Sequence, residues 1–111
     1  MNKNSTRYFS SKQEKQVAKE LGGKRTANSG ATRFVKGDIL LDDWCLECKT
    51  CTTEKKSFSI KREWIEKNEE EAFAMGKHHS AICFNFGESH NVQNYYIINE
   101  KEFERLVRNE Y

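Results

Sequence analysis

The chain has 111 residues, with 19 Lys and Arg, 17 Asp and Glu, and a formal net charge of +2. This length excludes a separate substrate domain and predicts one domain with a modest core over residues 1–111. The apolar runs are far shorter than the roughly 18 residues that a membrane helix needs, so we expect no spanning segment, no signal peptide and a cytoplasmic location.

The first predicted element is an amphipathic helix over Ser11–Leu21. Val17, Ala18 and Leu21 form an apolar stripe, and Glu14 lies at its head because these positions follow helical spacing. An inward carboxylate there could supply a metal ligand. Alternatively, its negative charge only interacts favourably with the helix dipole in the first turn, which stabilises the helix by at most about 1 kcal/mol.

The basic residues are concentrated at the N-terminal end of the chain. Residues 1–36 carry nine Lys and Arg against two Glu, whereas residues 37–111 carry ten basic and fifteen acidic residues. We expect residues 1–9 to be a flexible basic arm and the segment after the helix to contact nucleic acid. The predicted phosphate contacts in that segment are Lys24, Arg25, Ser29, Arg33 and Lys36.

A hairpin with Asp42-Asp43 at its tip is the most informative prediction. Its register pairs Leu41 with Trp44, Leu40 with Cys45, Ile39 with Leu46 and Asp38 with Glu47. Opposed Cβ atoms are roughly 4.5–5.5 Å apart, and two like charges there are destabilising unless a cation lies between them. Lys49 projects from the same face as Glu47 and could meet a phosphate held by that cation. The spacing therefore predicts a metal site with phosphodiesterase geometry.

The alternative for these charges is a solvent-facing hairpin edge. The apolar residues on both sides of the acids favour a buried strand pair instead. Burying an unpaired charge costs several kcal/mol, so charged residues in a buried strand pair are expected to have a chemical role.

The cysteines and histidines are not expected to bind metal. Cys45, Cys48 and Cys51 are spaced like zinc ligands, but alternation along a strand turns Cys48 to the opposite face. Cys83 lies in an apolar run and is expected to be a buried thiol, and in the cytosol we expect no disulfides. The histidines, expected at the surface or in loops with DNA contact possible, are His78, His79 and His90.

The central part of the remaining chain is predicted to be a helix followed by strands. The helix is expected from an N-cap at Ser59 to about Lys77, with Lys61 and Arg62 near phosphate at its start and residues 69–71 facing water. Strands are then expected over residues 80–86 and around residues 95–98.

A last helix is predicted to follow an N-cap at Asn99. Glu102 is its expected capping-box partner, and Phe103, Leu106 and Val107 are expected to be its buried side. The resulting order is helix, strand hairpin or meander, helix, two strands, helix. This order predicts a compact α/β domain.

The element order and the series Glu14, Asp38, Glu47-Cys48-Lys49 resemble the PD-(D/E)xK nuclease superfamily. The likeness is closest to the small Holliday-junction resolvases of archaeal and phage type and spans roughly residues 10–86. Residues 23–31 resemble the basic Ser-Gly loop of those resolvases. Gly37 stands where proline precedes the first Asp in the name pattern. The resemblance implies a restriction-endonuclease-like fold, with a mixed sheet of four to five strands flanked by helices.

The resemblance also implies Mg²⁺-dependent cleavage of branched DNA, with Mn²⁺ able to substitute. Asp38 and Glu47 would be the principal metal ligands, the backbone carbonyl of Cys48 a further one, and Glu14 a holder of a water or a second ion. Lys49 would orient the attacking water or stabilise charge on the phosphate. A four-way junction would require a homodimer, in a bacterial, archaeal or phage-infected cell.

Two alternatives remain at this stage. One is a relative that acts on other DNA, such as a nicking, repair or restriction-type enzyme. The other is a non-catalytic nucleic-acid-binding module on the same fold.

Overall fold

A computed structural model describes residues 6–25, 39–51, 53–87 and 92–109. The elements are α1 (Thr6–Leu21), β1 (Lys24–Arg25), β2 (Ile39–Leu40), β3 (Trp44–Lys49), α2 (Arg62–Ala74), β4 (His79–Phe84), β5 (Tyr95–Ile97) and α3 (Glu100–Arg108). This is a small α/β domain, and the predicted order of elements is confirmed. In the described part of the chain, no helix has the length and apolar character needed to cross a membrane.

The five strands form one mixed sheet in the order β1-β2-β3-β4-β5. Ile39 of β2 lies opposite Leu46 of β3, and Leu40 lies opposite Cys45, so the predicted hairpin register is confirmed at these pairs. β3 and β4 run parallel, as two strands do when a helix, here α2, carries the chain back between them. β3 therefore pairs with β4 over its whole length and with β2 at Cys45 and Leu46.

The two faces of the sheet are covered by different helices. On one face, Val17 of α1 packs with side chains from β2, β3 and β4 in a buried cluster. The strand members of this cluster are Ile39, Leu46, Cys48, Ala81 and Cys83. On the other face, Asn68 of α2 donates to the backbone oxygen of Cys45 at 3.2 Å. Because side chains alternate along β3, its odd-numbered residues face α2.

The first helix differs from its prediction in where it begins and in what it buries. α1 begins at Thr6 and so includes residues 6–9, which were expected to belong to the arm; residues 1–5 lie outside the described residues. Within residues 11–21, where burial is described, the buried positions are Gln13 and Val17, whereas Glu14 is half-buried and Leu21 is 47% exposed. The inward face is therefore centred one residue earlier than the apolar stripe suggested.

The second helix begins later than predicted and buries an acid. Its N-cap is Lys61, without a side-chain capping bond, because Ser59 belongs to the non-helical segment before it. Glu71, expected to face water, is buried, since it lies on the same inward face as Asn68 and Ala72. Lys67 Nζ, 3.7 Å from Glu71 Oε1, partly offsets this charge.

The last helix docks on the domain through a buried hydrogen bond between a histidine and a glutamate, contrary to the predicted apolar packing. Asn99 is its N-cap, as predicted, and its Oδ1 accepts from the backbone N–H of Glu102 at 2.9 Å. The Glu102 carboxylate is buried and lies 2.7 Å from Nδ1 of His79. His79 is a buried β4 residue, so the surface or loop position predicted for it is wrong.

This docking leaves the apolar stripe of α3 outside. Phe103, Leu106 and Val107 were predicted to be buried, and they are 60%, 48% and 64% exposed. The prediction is wrong because it assumed that the apolar side of the helix would face the core, whereas Glu102, on another side, takes that place.

The thiols of Cys45, Cys48 and Cys83 are buried, which confirms the prediction for Cys83. No disulfide joins cysteines in the described part of the chain. The fourth cysteine, Cys51, is half-buried beyond the end of β3.

Candidate active site

The candidate site is centred on Glu47 and Lys49, which project from the same face of β3. Lys49 Nζ lies 3.4 Å from Glu47 Oε1, and the two side chains are 28% and 14% exposed. Between them, the side chain of Cys48 points to the core, where it is 6% exposed. Alternation along β3, which pairs with β4 at both positions, thus places an acid and an ammonium group beside each other.

Trp64 of α2 supports the Lys49 side chain. Lys49 Nζ lies 4.5 Å from the centroid of the Trp64 ring, a cation–π contact. Lys61 Nζ is 5.8 Å from the same ring, and Phe58 meets it edge to face at 6.3 Å. The indole therefore limits the positions that the ammonium group can adopt. Helical spacing alone does not show which strand residue Trp64 will meet.

Gln13 fixes the backbone at Lys49 from the opposite face. Its Nε2 donates to the Lys49 carbonyl at 2.8 Å and to the Cys83 carbonyl at 3.4 Å, and the residue is only 3% exposed. One amide group thus ties α1 to both central strands. This role of Gln13 was not predicted, although a polar residue one turn before Val17 was the available signal for it.

Glu14 forms a separate pair with Arg25 of β1. Arg25 Nε lies 3.6 Å from Glu14 Oε1, and Arg25 Nη2 donates to Ser11 Oγ at 3.2 Å. Arg25 is opposite Ile39, whose side chain packs on the α1 face, so this pair lies on that face. Lys49 contacts α2, and the structure thus gathers the predicted site residues as two pairs, one on each side of the sheet.

The remaining predicted metal ligand is Asp38, which lies outside the described residues. In the part of the chain that is described, no group of three or more His, Cys, Asp or Glu residues is arranged to hold a metal ion. The oxygen chemistry of Glu47 nevertheless suits Mg²⁺, which prefers carboxylates and retains several waters. A second carboxylate beside the largely buried Glu47 would bring two negative charges together. The single positive charge of Lys49 would not balance both.

The predicted DNA contacts are exposed where the structure describes them. Lys24, Arg25, Lys61 and Arg62 are all exposed, whereas the predicted contacts at positions 29, 33 and 36 (Ser29, Arg33 and Lys36) lie outside the described residues. Arg62 is paired with Glu66 at 3.0 Å on the outer side of α2. Lys61, beside the Trp64 ring, is the nearest of these cations to the candidate site.

A second polar cluster joins the hairpin tip to β4 and α3. Asp43 Oδ2 lies 3.2 Å from His79 Nε2, on the other side of the ring from Glu102. The His78 backbone N–H donates to Asp43 Oδ1 at 3.0 Å, and the His78 ring contacts the same oxygen at 2.7 Å. These hydrogen bonds, the backbone one first, lower the pKa of Asp43. The cluster ties the hairpin tip to β4 and α3.

Comparisons with known proteins add no identification, since no family model, curated protein or solved structure matches the chain.

Proposed function

We propose that the protein is a metal-dependent endonuclease of the PD-(D/E)xK type that cleaves branched DNA. The observation that carries the proposal is the Glu47–Lys49 pair on β3, 3.4 Å apart and largely buried, at positions where β3 pairs with β4. Asp38 directly precedes Ile39, whose partner Leu46 directly precedes Glu47. This register supports a site made from Asp38, Glu47 and Lys49.

The proposed fold is restriction-endonuclease-like. The features that support it are the helix–hairpin order at the start and the β3–α2–β4 crossover between parallel strands. The mixed five-stranded sheet, with helices on both faces, fits the same architecture.

The residues would divide the chemistry as follows. Asp38 and Glu47 would hold Mg²⁺ or Mn²⁺, with the Cys48 carbonyl as a further oxygen ligand. When bound, the ion would polarise the scissile phosphate and lower the pKa of a water. Lys49 would place its ammonium group against the developing phosphate charge or orient the attacking water. Glu14, which pairs with Arg25 on the other face of the sheet, is left without a role in this site.

Trp64 and Gln13 would keep this arrangement in place before substrate binds. The Trp64 ring limits the side chain of Lys49, and the Gln13 amide holds its backbone carbonyl. Positioning matters because a charge that is already oriented needs no rearrangement when the transition state forms.

The proposed substrate is a four-way or other branched junction, bound by a homodimer so that two sites meet two strands. Phosphate contacts would come from Lys24, Arg25, Lys61 and Arg62, together with the basic segment before Asp38. Such contacts read backbone position and shape, not sequence.

The test is a cleavage assay on four-way junction and linear duplex DNA in Mg²⁺ and in Mn²⁺. Glu47→Ala and Lys49→Ala should each lower junction cleavage at least about a hundredfold, while DNA binding is retained. Glu70→Gln and Lys56→Ala, at exposed positions away from the pair, are the matched controls. Equal cutting of duplex and junction would overturn the substrate class but leave the nuclease proposal standing.

Metal binding gives a readout that does not depend on cleavage. Titration calorimetry with Mn²⁺ should show binding to the unmodified protein and a large loss of affinity in Glu47→Ala. DNA binding without cleavage of either substrate and without Mn²⁺ binding by the unmodified protein would leave only a nucleic-acid-binding module.

A further inference from the structure

Five aromatic side chains form a continuous cluster beside the candidate site, here called the aromatic platform. Its members are Phe58, Trp64, Phe84, Phe86 and Tyr95, and the centroids of neighbouring rings are 5.2–6.5 Å apart. None of the five is fully buried, and Tyr95, on the edge strand β5, is 45% exposed. Clustered rings that are not fully buried leave flat apolar faces for a ligand.

The platform continues the Glu47–Lys49 site across the sheet. Lys49 lies opposite Phe84, and Phe84 lies opposite Tyr95, so these three side chains form one row across β3, β4 and β5. The Phe84 and Tyr95 rings are stacked, with 5.5 Å between their centroids and 30° between their planes. Lys49 and Phe84 are the last residues of two parallel strands, and α/β sheets bind ligands at the carboxyl ends of such strands.

Asn85 holds this end of the sheet together. Its Oδ1 accepts from Thr50 Oγ1 at 2.7 Å and from the Gly87 backbone N–H at 2.9 Å, and its Nδ2 donates to Asn94 Oδ1 at 3.2 Å. The residue is only 3% exposed, so these hydrogen bonds are shielded from water. They join the residues that follow β3 and β4 to the residue that precedes β5. The spacing within the row is therefore set before a ligand binds.

The charges around the platform indicate what it binds. The segment that carries two of the rings, residues 53–64, contains four basic and two acidic residues, and β5 is uncharged. Lys49 Nζ and Lys61 Nζ lie 4.5 Å and 5.8 Å from the Trp64 ring. Ammonium groups beside flat rings suit a ligand that has both phosphates and bases, as single-stranded nucleic acid does. A purely apolar protein partner would instead have to desolvate these charges.

We propose that the aromatic platform binds an unpaired base of the DNA substrate by stacking, with Tyr95 as the residue that contacts the base. The inference rests on the proposed nuclease function, which puts the scissile phosphate at Lys49. Adjacent strands are about 4.8 Å apart, so two strand spacings separate Lys49 from Tyr95 by roughly 10 Å. About three stacked nucleotides span this length.

Stacking on Tyr95 would give selectivity for branch points without reading sequence. Every base has a flat face, so an aromatic ring accepts any unpaired base. A fully paired duplex would first have to unstack a base, which costs free energy. The platform therefore specifies the feature of branched DNA that the protein recognises.

Binding to unpaired thymines tests the proposal without cleavage. Fluorescence anisotropy would compare a four-way junction that carries unpaired thymines at the branch point with a fully paired junction, in EDTA. The unmodified protein should bind the unpaired form at least about fivefold more tightly. Tyr95→Leu, which keeps an apolar side chain, should raise the dissociation constant of the unpaired form by about the same factor. Tyr95→Phe keeps the ring and should keep the preference.

Tyr96→Ala is the matched control. Tyr96 is 42% exposed on the same strand, but it points to the opposite face of the sheet, so its loss should leave the preference unchanged. Circular dichroism would show that all variants remain folded. The fluorescent base 2-aminopurine, at the unpaired position, gives a second readout, because stacking quenches it. Quenching should occur with the unmodified protein and be much weaker with Tyr95→Leu.

Equal affinity for the two junctions, or a preference that Tyr95→Leu leaves intact, would overturn the proposal. Failure to bind either junction would overturn it as well and would indicate a protein partner for the platform. A preference that depends on Tyr95, in a protein that cleaves neither junction with Mg²⁺, would leave base stacking standing and refute the nuclease proposal. The two failures are therefore distinct.

Discussion

Replacing the buried His79 with alanine should destabilise the domain more than replacing an exposed residue with alanine. His79 is 8% exposed and Glu102 7%, with 2.7 Å between Nδ1 and the carboxylate, so the variant leaves a buried acid without its nearest hydrogen-bond partner. Leaving a buried polar group without a partner costs about 1–3 kcal/mol, and more when the group is charged. Arg105 Nη1, 3.8 Å from Glu102, retains part of the compensation, and we therefore expect a loss of about 3 kcal/mol.

Urea unfolding at neutral pH would measure this loss, in a double-mutant cycle with Glu102→Leu. The double variant should be more stable than His79→Ala alone, because it removes the buried charge as well. His78→Ala is the neighbouring control, and its 79% exposed ring should make little difference. A small loss in His79→Ala, or strictly additive effects in the cycle, would refute the view that this pair docks α3.

Three further predictions concern stability. Because the pKa of Asp43 is lowered by His78, its contribution is present above the ordinary value of 3.8 and is lost as pH falls. Asp43→Asn should therefore flatten the pH dependence of the unfolding midpoint below about pH 4. Gln13→Ala should cost about 2 kcal/mol in urea unfolding, since two buried carbonyls lose their donor. Gly87→Ala should lower the thermal midpoint, because at φ +79° the new Cβ would lie 2.6 Å from the Thr53 oxygen.

Each of these changes has a matched control. Asp42→Asn alters an exposed neighbour of Asp43 and should leave the pH profile unchanged. Gln16→Ala lies on the same helix as Gln13 and should cost much less. Gly76→Ala has a similar φ of +71° but open space around the new Cβ, so it isolates backbone strain from the clash at Gly87. Equal losses within any pair would contradict the corresponding explanation.

The hairpin and the helix order could be predicted because they depend on neighbouring residues. The Asp42-Asp43 turn and the apolar residues beside it set the register, and Ile39 indeed faces Leu46. The placement of Glu47 and Lys49 on one face followed from alternation alone. Local spacing therefore sufficed for the part of the candidate site on β3.

The contacts that the sequence did not indicate join residues far apart in the chain. Gln13 reaches Lys49 and Cys83, and Glu102 reaches His79 across 23 positions. A stripe such as that of α3 shows which residues share a side, but not whether that side meets the core. The buried His79–Glu102 pair decided the orientation, and no spacing rule connects its members.

The parallel pairing of β3 with β4 has a consequence for how the domain folds. The β2–β3 hairpin closes over a short turn, an event of about 1–10 μs, whereas Trp44 meets His79 only after α2 has brought distant chain back. Closing such a long loop costs conformational entropy, and the hydrogen bonds between β3 and β4 offset this cost only once the strands have paired. We therefore expect the β2–β3 hairpin, which carries Glu47 and Lys49, to form early. The pairing of β3 with β4, which fixes the backbone at these two residues, should form in a later, rate-limiting step.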